Sequence, residues 1–265
     1  LSHPLRWYKA LKTQEGRREG GAFLVEGRRA ISQIAKCCPE SIREILVDDR
    51  PHHLGELPIA VSRVSAKTLQ TIAAAQNPQG VLGVVHLPPE TYSDSLPANA
   101  GRRVLLLEDV QDPGNIGTLV RGAAALGFDG VLMSEKCADP FSPKSVQASA
   151  GSVLSVWIRR SALWFAMARA LKQSSFALIA ADVSGKPLGR SVVKAPLVLL
   201  LGNEGRGLSA PSLRLADRVV RIPIEQSRAQ SLNVASAGAV CMYVLGAGTG
   251  TIRLRDGDAR AAEAL

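Results

Sequence analysis

The chain has 265 residues, 46% hydrophobic and 21% charged, enough for one large or two modest domains that bury their own cores without disulfide staples. Four cysteines, Cys37, Cys38, Cys137 and Cys241, with no Cys-x-x-Cys spacing, argue against a zinc site or a disulfide framework, and the lack of a long apolar run argues against secretion or a membrane span, so a soluble, cytoplasmic protein is expected. The formal net charge of +9 points to a polyanion, nucleic acid above all, while 4% aromatics speak against base stacking on an aromatic platform.

Residues 1–90 read as a small α/β domain. A Gly-flanked segment at 21–27 leads into a helix at Arg28–Cys37, a strand at Ile42–Val47, a helix at 65–75 and a closing strand at 80–87. The Pro-rich stretch at 87–101 has little periodicity and marks a linker, placed at 91–101. Beyond it, residues 102–249 carry short β-rich runs at Arg103–Leu107, 130–133, 176–181, Leu197–Leu201 and 219–222, interleaved with helical stretches. That alternation predicts a parallel sheet covered on both faces. A last helix from about Ser231 is dense in small residues, Ala235 to Ala239, which allow close approach within the fold or across a dimer interface. The tail at 250–265 is expected to fray.

Three loops at the C-terminal ends of predicted strands hold the unusual residues, which is where open α/β sheets bind ligands. The first runs from Glu108 to Arg121. Pro113-Gly114 forces a turn, Asn115 is expected to cap the following helix, and Arg121 in its second turn can reach back over Asn115 towards a phosphate. Taken alone, it reads slightly better as a capped helix bearing a solvated arginine. The second, Gly202-Asn-Glu-Gly-Arg-Gly-Leu-Ser209, is neither a P-loop nor a dinucleotide fingerprint; Glu204 stands out because a turn needs no carboxylate. In the third, Ser231 and Asn233 open the last helix, as caps or as ligands of an acceptor group. All four histidines, His3, His52, His53 and His86, precede the linker, so chemistry in the second region must rest on Arg, Glu, Ser and Asn.

Together, Asn115 with Arg121, Gly202 with Glu204, and Ser231-Leu232-Asn233 resemble, in order and spacing, the three motifs of the SpoU family of RNA 2′-O-ribose methyltransferases. Residues 23–85 are similar to the ribosomal-protein-like substrate-binding domain often fused in front. The resemblance implies a deep trefoil knot, a homodimer with sites at its interface, and S-adenosylmethionine as methyl donor; with only two cysteines and no histidine in the second region, no metal is expected. It implies that Arg121 serves the target nucleotide, that Asn115, Glu204, Ser231 and Asn233 complete the catalytic centre, and that Gly202, Ile222 and Leu232 line the cofactor. The expected partner is structured RNA, with large-subunit ribosomal RNA ahead of transfer RNA.

Two departures stand out. Glu225-Gln226 replaces a common glycine in a loop one residue longer than usual, and Gln147 stands where relatives often carry arginine. The competing readings are a non-catalytic RNA-binding protein of the same fold, which the intact motif residues oppose, and a dinucleotide-dependent enzyme, which the missing Gly-x-Gly-x-x-Gly opposes.

Overall fold

The computed structural model describes residues 1–50, 59, 61–189, 196–225 and 227–247. The expected frayed tail at 250–265 lies outside them, as does Gln226.

The N-terminal domain contains α1 (Leu5–Ala10), α2 (Gln14–Gly20), β1 (Ala22–Glu26), α3 (Arg28–Cys37), β2 (Ile42–Val47), β3 (Val61–Arg63), α4 (Ala66–Ile72) and β4 (Val81–His86). Among the described residues its strands form one sheet in the order β1-β4-β2-β3, antiparallel except for β2 with β3. Alternation assigns Phe23 and Val25 of β1 to one face, with Ile31 and Ile34 of α3, and Ala22 and Leu24 to the other. That second face also needs a cover. Tyr8 of α1 and Leu11 supply it, packing with Leu24, Leu46 and Leu82, which explains an N-terminal helix pair absent from the sequence reading.

The second domain contains β5 (Arg103–Leu107), α5 (Pro113–Ala125), β6 (Gly130–Ser134), α6 (Pro143–Ser149), β7 (Trp157–Ser161), α7 (Trp164–Gln173), β8 (Ala177–Pro187), β9 (Leu197–Leu201), α8 (Ala210–Leu215), β10 (Arg218–Arg221) and α9 (Val234–Ala247). Among the described residues these strands form a six-stranded sheet, β10-β8-β9-β5-β6-β7, with every pair parallel. Leu105, Leu107, Leu199 and Leu201 pack on the α5 and α9 side, and Val104, Leu106, Val198 and Leu200 on the α7 side. Burial on both faces is why these strands read as unbroken apolar runs. β7 was not expected. It carries Arg159 and Arg160, and Arg159 is nonetheless buried, donating to the carbonyls of Ser95 at 3.0 Å and Ile158 at 3.1 Å.

The domains share one core. Phe23, Val25 and Ile31 join Phe141, Val146 and Val153 in a single apolar cluster, and the rings of Phe23 and Phe141 lie 4.8 Å apart. Arg17 of α2 forms a buried ion pair with Asp139, whose Oδ1 accepts from the Phe141 N–H at 2.9 Å. Gly151, at φ 87°, lies so close to α3 that a Cβ there would sit 2.4 Å from the Ala30 carbonyl oxygen.

Candidate active site

β5 is flanked by β6 on one side and β9 on the other, so the order of strands reverses there. In open α/β sheets the crevice outside the carboxyl ends at such a point receives ligands. The first turn of α5, which follows the loop leaving β5, holds Asn115, and the loop leaving β9 holds Gly202-Asn-Glu204.

Glu204 organises this crevice. Its Oε1 accepts from the Asp112 N–H and the Asn115 side-chain amide, both at 3.0 Å, and its Oε2 accepts from the Gln111 N–H at 3.2 Å. Burial raises the pKa of Glu204, but these hydrogen bonds, led by that from Asn115, outweigh it and hold the carboxyl below its ordinary value. Asn115 Oδ1 in turn accepts from the Asn233 amide at 3.0 Å. Asn233 Oδ1 then accepts from the backbone N–H groups of Ala235 at 2.8 Å and Ser236 at 3.3 Å, capping α9. Motifs widely separated in sequence thus become one chain of hydrogen bonds, Glu204 to Asn115 to Asn233.

The expected capping of α5 is corrected. Asp112 is the N-cap, its Oδ1 accepting from Gly114 N–H at 2.7 Å and Asn115 N–H at 3.0 Å, with Pro113 at the first helical position. Asn115, in the first turn, is therefore released from capping and its amide faces its two partners. Lys144 donates to Asp112 Oδ2 at 2.9 Å, and this bond, ahead of those from Asn115 and Gly114, holds the Asp112 carboxyl below its usual range.

Arg121 is corrected too: with α5 starting at Pro113 it falls in the third turn, not the second. Six residues at about 100° each turn it roughly 120° around the helix from Asn115. It is exposed and makes no hydrogen bond or ion pair among the described residues, so the expected reach back to Asn115 is not made here. Its neighbour Gly122 packs on α9, where an added Cβ would lie 2.9 Å from Met242 Cε. α9 begins at Val234, leaving Ser231 and Leu232 exposed ahead of it, and Ser231 has no hydrogen bond among the described residues.

Gly202 is required by space. A Cβ there would sit 2.2 Å from the Gly207 carbonyl carbon, because Asn203 and Gly207 close the loop with paired backbone bonds of 3.0 and 2.9 Å. Ile222 is half-buried and Leu232 is 40% exposed.

Two features escaped the sequence reading. The β8 to β10 register jumps from Val219↔Ala180 to Val220↔Lys186, so residues 181–185 leave the ladder, and Gly207 lies beside them, 3.4 Å from Asp182 Oδ2 as measured from an added Cβ. A cleft of about 570 Å³ borders this excursion at Ser184, Val219 and Leu245, but none of Asn115, Glu204 and Asn233 lines it. Asp109, at φ 56°, holds a left-handed backbone rare outside glycine. The twist lets its N–H donate to Ser134 Oγ and its carbonyl accept from the Asn203 amide, both at 2.8 Å. No group of three or more His, Cys, Asp or Glu side chains able to hold a metal occurs among the described residues.

Residues 102–243 match the SpoU rRNA Methylase family, and residues 24–91 match the RNA 2′-O ribose methyltransferase substrate-binding domain. The chain belongs to the SpoU family. A Bacillus subtilis relative, 23S rRNA (guanosine(2553)-2′-O)-methyltransferase RlmP, is 30% identical over 240 residues, 90% of this chain and 94% of its own. The 23S rRNA (uridine(2479)-2′-O)-methyltransferase of Streptomyces viridochromogenes is 29% identical over 260 residues, 90% of this chain and 87% of its own. The crystal structure of the SpoU methyltransferase AviRb from that organism, in complex with AdoMet, superposes with a TM-score of 0.77 at 28% identity, covering 92% of this chain and 96% of that one. The expected α/β architecture of a SpoU methyltransferase, with a parallel-sheet domain behind a small N-terminal domain, is thus the observed one.

Proposed function

We propose that this protein transfers a methyl group from S-adenosylmethionine to a ribose 2′-hydroxyl of large-subunit ribosomal RNA. The observation that carries the reading is the hydrogen-bonded chain Glu204–Asn115–Asn233, which unites the family's motif residues at the switch point of the sheet. The activities named for the relatives in Bacillus and Streptomyces support the RNA class. Bound S-adenosylmethionine supplies an electrophilic methyl on a sulfonium. Gly202, Ile222 and Leu232 are the residues we assign to hold it, through close backbone approach and apolar contact. Asn115, Glu204, Ser231 and Asn233 orient the nucleotide, and the guanidinium of Arg121 meets its phosphate or assists removal of the 2′-proton. Alignment of the attacking oxygen with the methyl group carries much of the rate.

The active species in this reading is a homodimer in the cytoplasm, carrying the trefoil knot of its family and working without metal. α9 supports the dimer. Its inner face uses Gly238 to approach Leu119 and Leu201 within the fold, while Val240 and Tyr243 are 41% and 59% exposed on its outer face. Among the described residues no helix is long and apolar enough to cross a membrane.

The test is methyl transfer from labelled S-adenosylmethionine to unmodified 23S-type ribosomal RNA in the presence of a chelator, followed by nucleoside analysis. The expected product is a single 2′-O-methylated nucleoside. Methylation of a base, or of transfer RNA alone, overturns the reading.

A further inference from the structure

Residues 134–139, which follow β6 and lead towards α6, are fastened at both ends. Ser134 Oγ at the near end donates to Asp109 Oδ1 at 2.7 Å, and the Ala138 N–H, just before Asp139, donates to the Val110 carbonyl at 2.9 Å, so both tie the segment to the loop that leads to Asn115. At the far end Asp139 holds the buried Arg17 of the N-terminal domain. Arg160 braces the middle, donating to the carbonyls of Glu135 and Cys137 on either side of Lys136. Lys136 is thereby presented at the crest with 75% of its side chain exposed, its amine 4.0 Å from Asp109 at the outer limit of an ion pair.

Lys144 stands on the other flank of the same loop. Its side chain is 63% exposed, its amine meets Asp112, and it shares the exposed face of α6 with the neutral Gln147 one turn later. Lys136 and Lys144 therefore bracket residues 109–112, which lead into Asn115. The loop's acids are engaged: Asp109 accepts from Ser134, Asp112 caps α5, and Glu204 accepts from backbone and amide donors. Glu135 is a further exposed acid beside them. Each ammonium has three donors and one carboxylate partner, and solvent-exposed pairs of this kind contribute little, so both amines are free to exchange a carboxylate for a phosphate.

We propose that Lys136 and Lys144 hold the phosphate backbone of the substrate strand where it passes from the N-terminal domain to the Asn115 site. The inference rests on the reading of the substrate as RNA. The junction at Arg17 and Asp139 ties this cationic rim to the N-terminal domain.

The experiment compares the unmodified protein with Lys136→Gln, Lys144→Gln, Lys144→Arg and the double Gln variant, with Arg169→Gln as an equal charge loss on the exposed surface of α7. Binding to in-vitro-transcribed 23S-type ribosomal RNA is measured across a salt series, alongside KM for RNA and calorimetry with S-adenosylmethionine. Each Gln substitution at Lys136 or Lys144 is expected to flatten the slope of log affinity against log salt by about 0.7–0.9. The KM for RNA should rise, cofactor affinity should hold, and Lys144→Arg should restore the slope. A double variant whose slope matches the unmodified protein or Arg169→Gln overturns the proposal. Failure of Lys144→Arg to restore the slope overturns the phosphate role of Lys144. RNA binding without methyl transfer by the unmodified protein overturns the functional reading instead, and the slopes still decide the lysines.

Discussion

Glu204 is a carboxylate used as a clamp, and its titration should be visible. Its folded pKa lies below the ordinary value, as does that of Asp112, so the stability each contributes is fully present above the unfolded carboxylate pKa of about 4 and is lost as pH falls through the lowered folded value. Glu204→Gln should therefore flatten the acid limb of a melting-temperature profile below about pH 4, with a small amplitude because the group is exposed and screened. An unchanged acid limb would count against the clamp. Arg121 makes the opposite prediction, of chemistry without stability. It has no partner to lose among the described residues, and lysine keeps its charge but not its planar fork. Arg121→Lys should leave melting and cofactor calorimetry unchanged while single-turnover methyl transfer falls by on the order of a hundredfold or more. Near-normal transfer would remove Arg121 from the reaction, and lost cofactor binding would reassign it. At this scale the sequence singled out Glu204, Asn115 and Asn233, which the structure joins by hydrogen bonds, but misplaced the cap of α5 and the turn that carries Arg121. Asp112 and Asn115 are both capping residue types, and Pro113, which favours the first helical position, was the signal that Asp112 is the cap. Apart from the adjacent Asn203 amide at 3.5 Å, the partners of Glu204 lie 89 to 93 positions away, so no local pattern could name them.

Among the elements, the loop after β9 is the most constrained. Gly202→Ala places a methyl 2.2 Å from the Gly207 carbonyl carbon, where only backbone movement can relieve it. The loop must open, costing about 1–3 kcal/mol of stability and displacing Glu204 with it. The expected result is a lower melting temperature together with loss of S-adenosylmethionine binding by calorimetry, and normal binding would show that this loop does not shape the cofactor site. Buried strands were legible because both faces are covered: Arg103–Leu107 and Leu197–Leu201 have the bounds read from the sequence. β7 was not, because Arg159 and Arg160 read as surface residues while their donors satisfy carbonyls inside the fold. The departure of residues 181–185 from the ladder was invisible as well, since Asp182-Val-Ser-Gly185 carries turn-forming residues but nothing to distinguish an excursion from a strand end.

At the scale of the whole molecule, Arg17 joins the two domains. Its guanidinium is buried against Asp139 and also donates to the carbonyls of Leu11 and Lys12, both at 2.9 Å. Arg17→Met leaves Asp139 as an uncompensated buried charge, which should cost about 3–5 kcal/mol in urea denaturation; a loss below about 1 kcal/mol would mean the domains are held by the Phe23–Phe141 cluster alone. The exposed outer face of α9 makes a second prediction, that light scattering reports twice the 28.0 kDa chain mass. A monomer that still methylates RNA would contradict it. The plan of a parallel-sheet domain with a small N-terminal domain could be read from alternating elements, whereas the shared core could not, because Phe23 and Phe141 are distant in sequence and each reads as ordinary core. What unites residue, element and molecule is the proposed ribose methylation of large-subunit RNA, and mapping 2′-O-methylation in ribosomal and transfer RNA from strains with and without this gene tests it most directly. The account predicts one ribose methyl missing from the large-subunit RNA of the deletion strain and restored by the intact protein but not by Arg121→Ala. An unchanged ribosomal map, or a loss confined to transfer RNA, would contradict it.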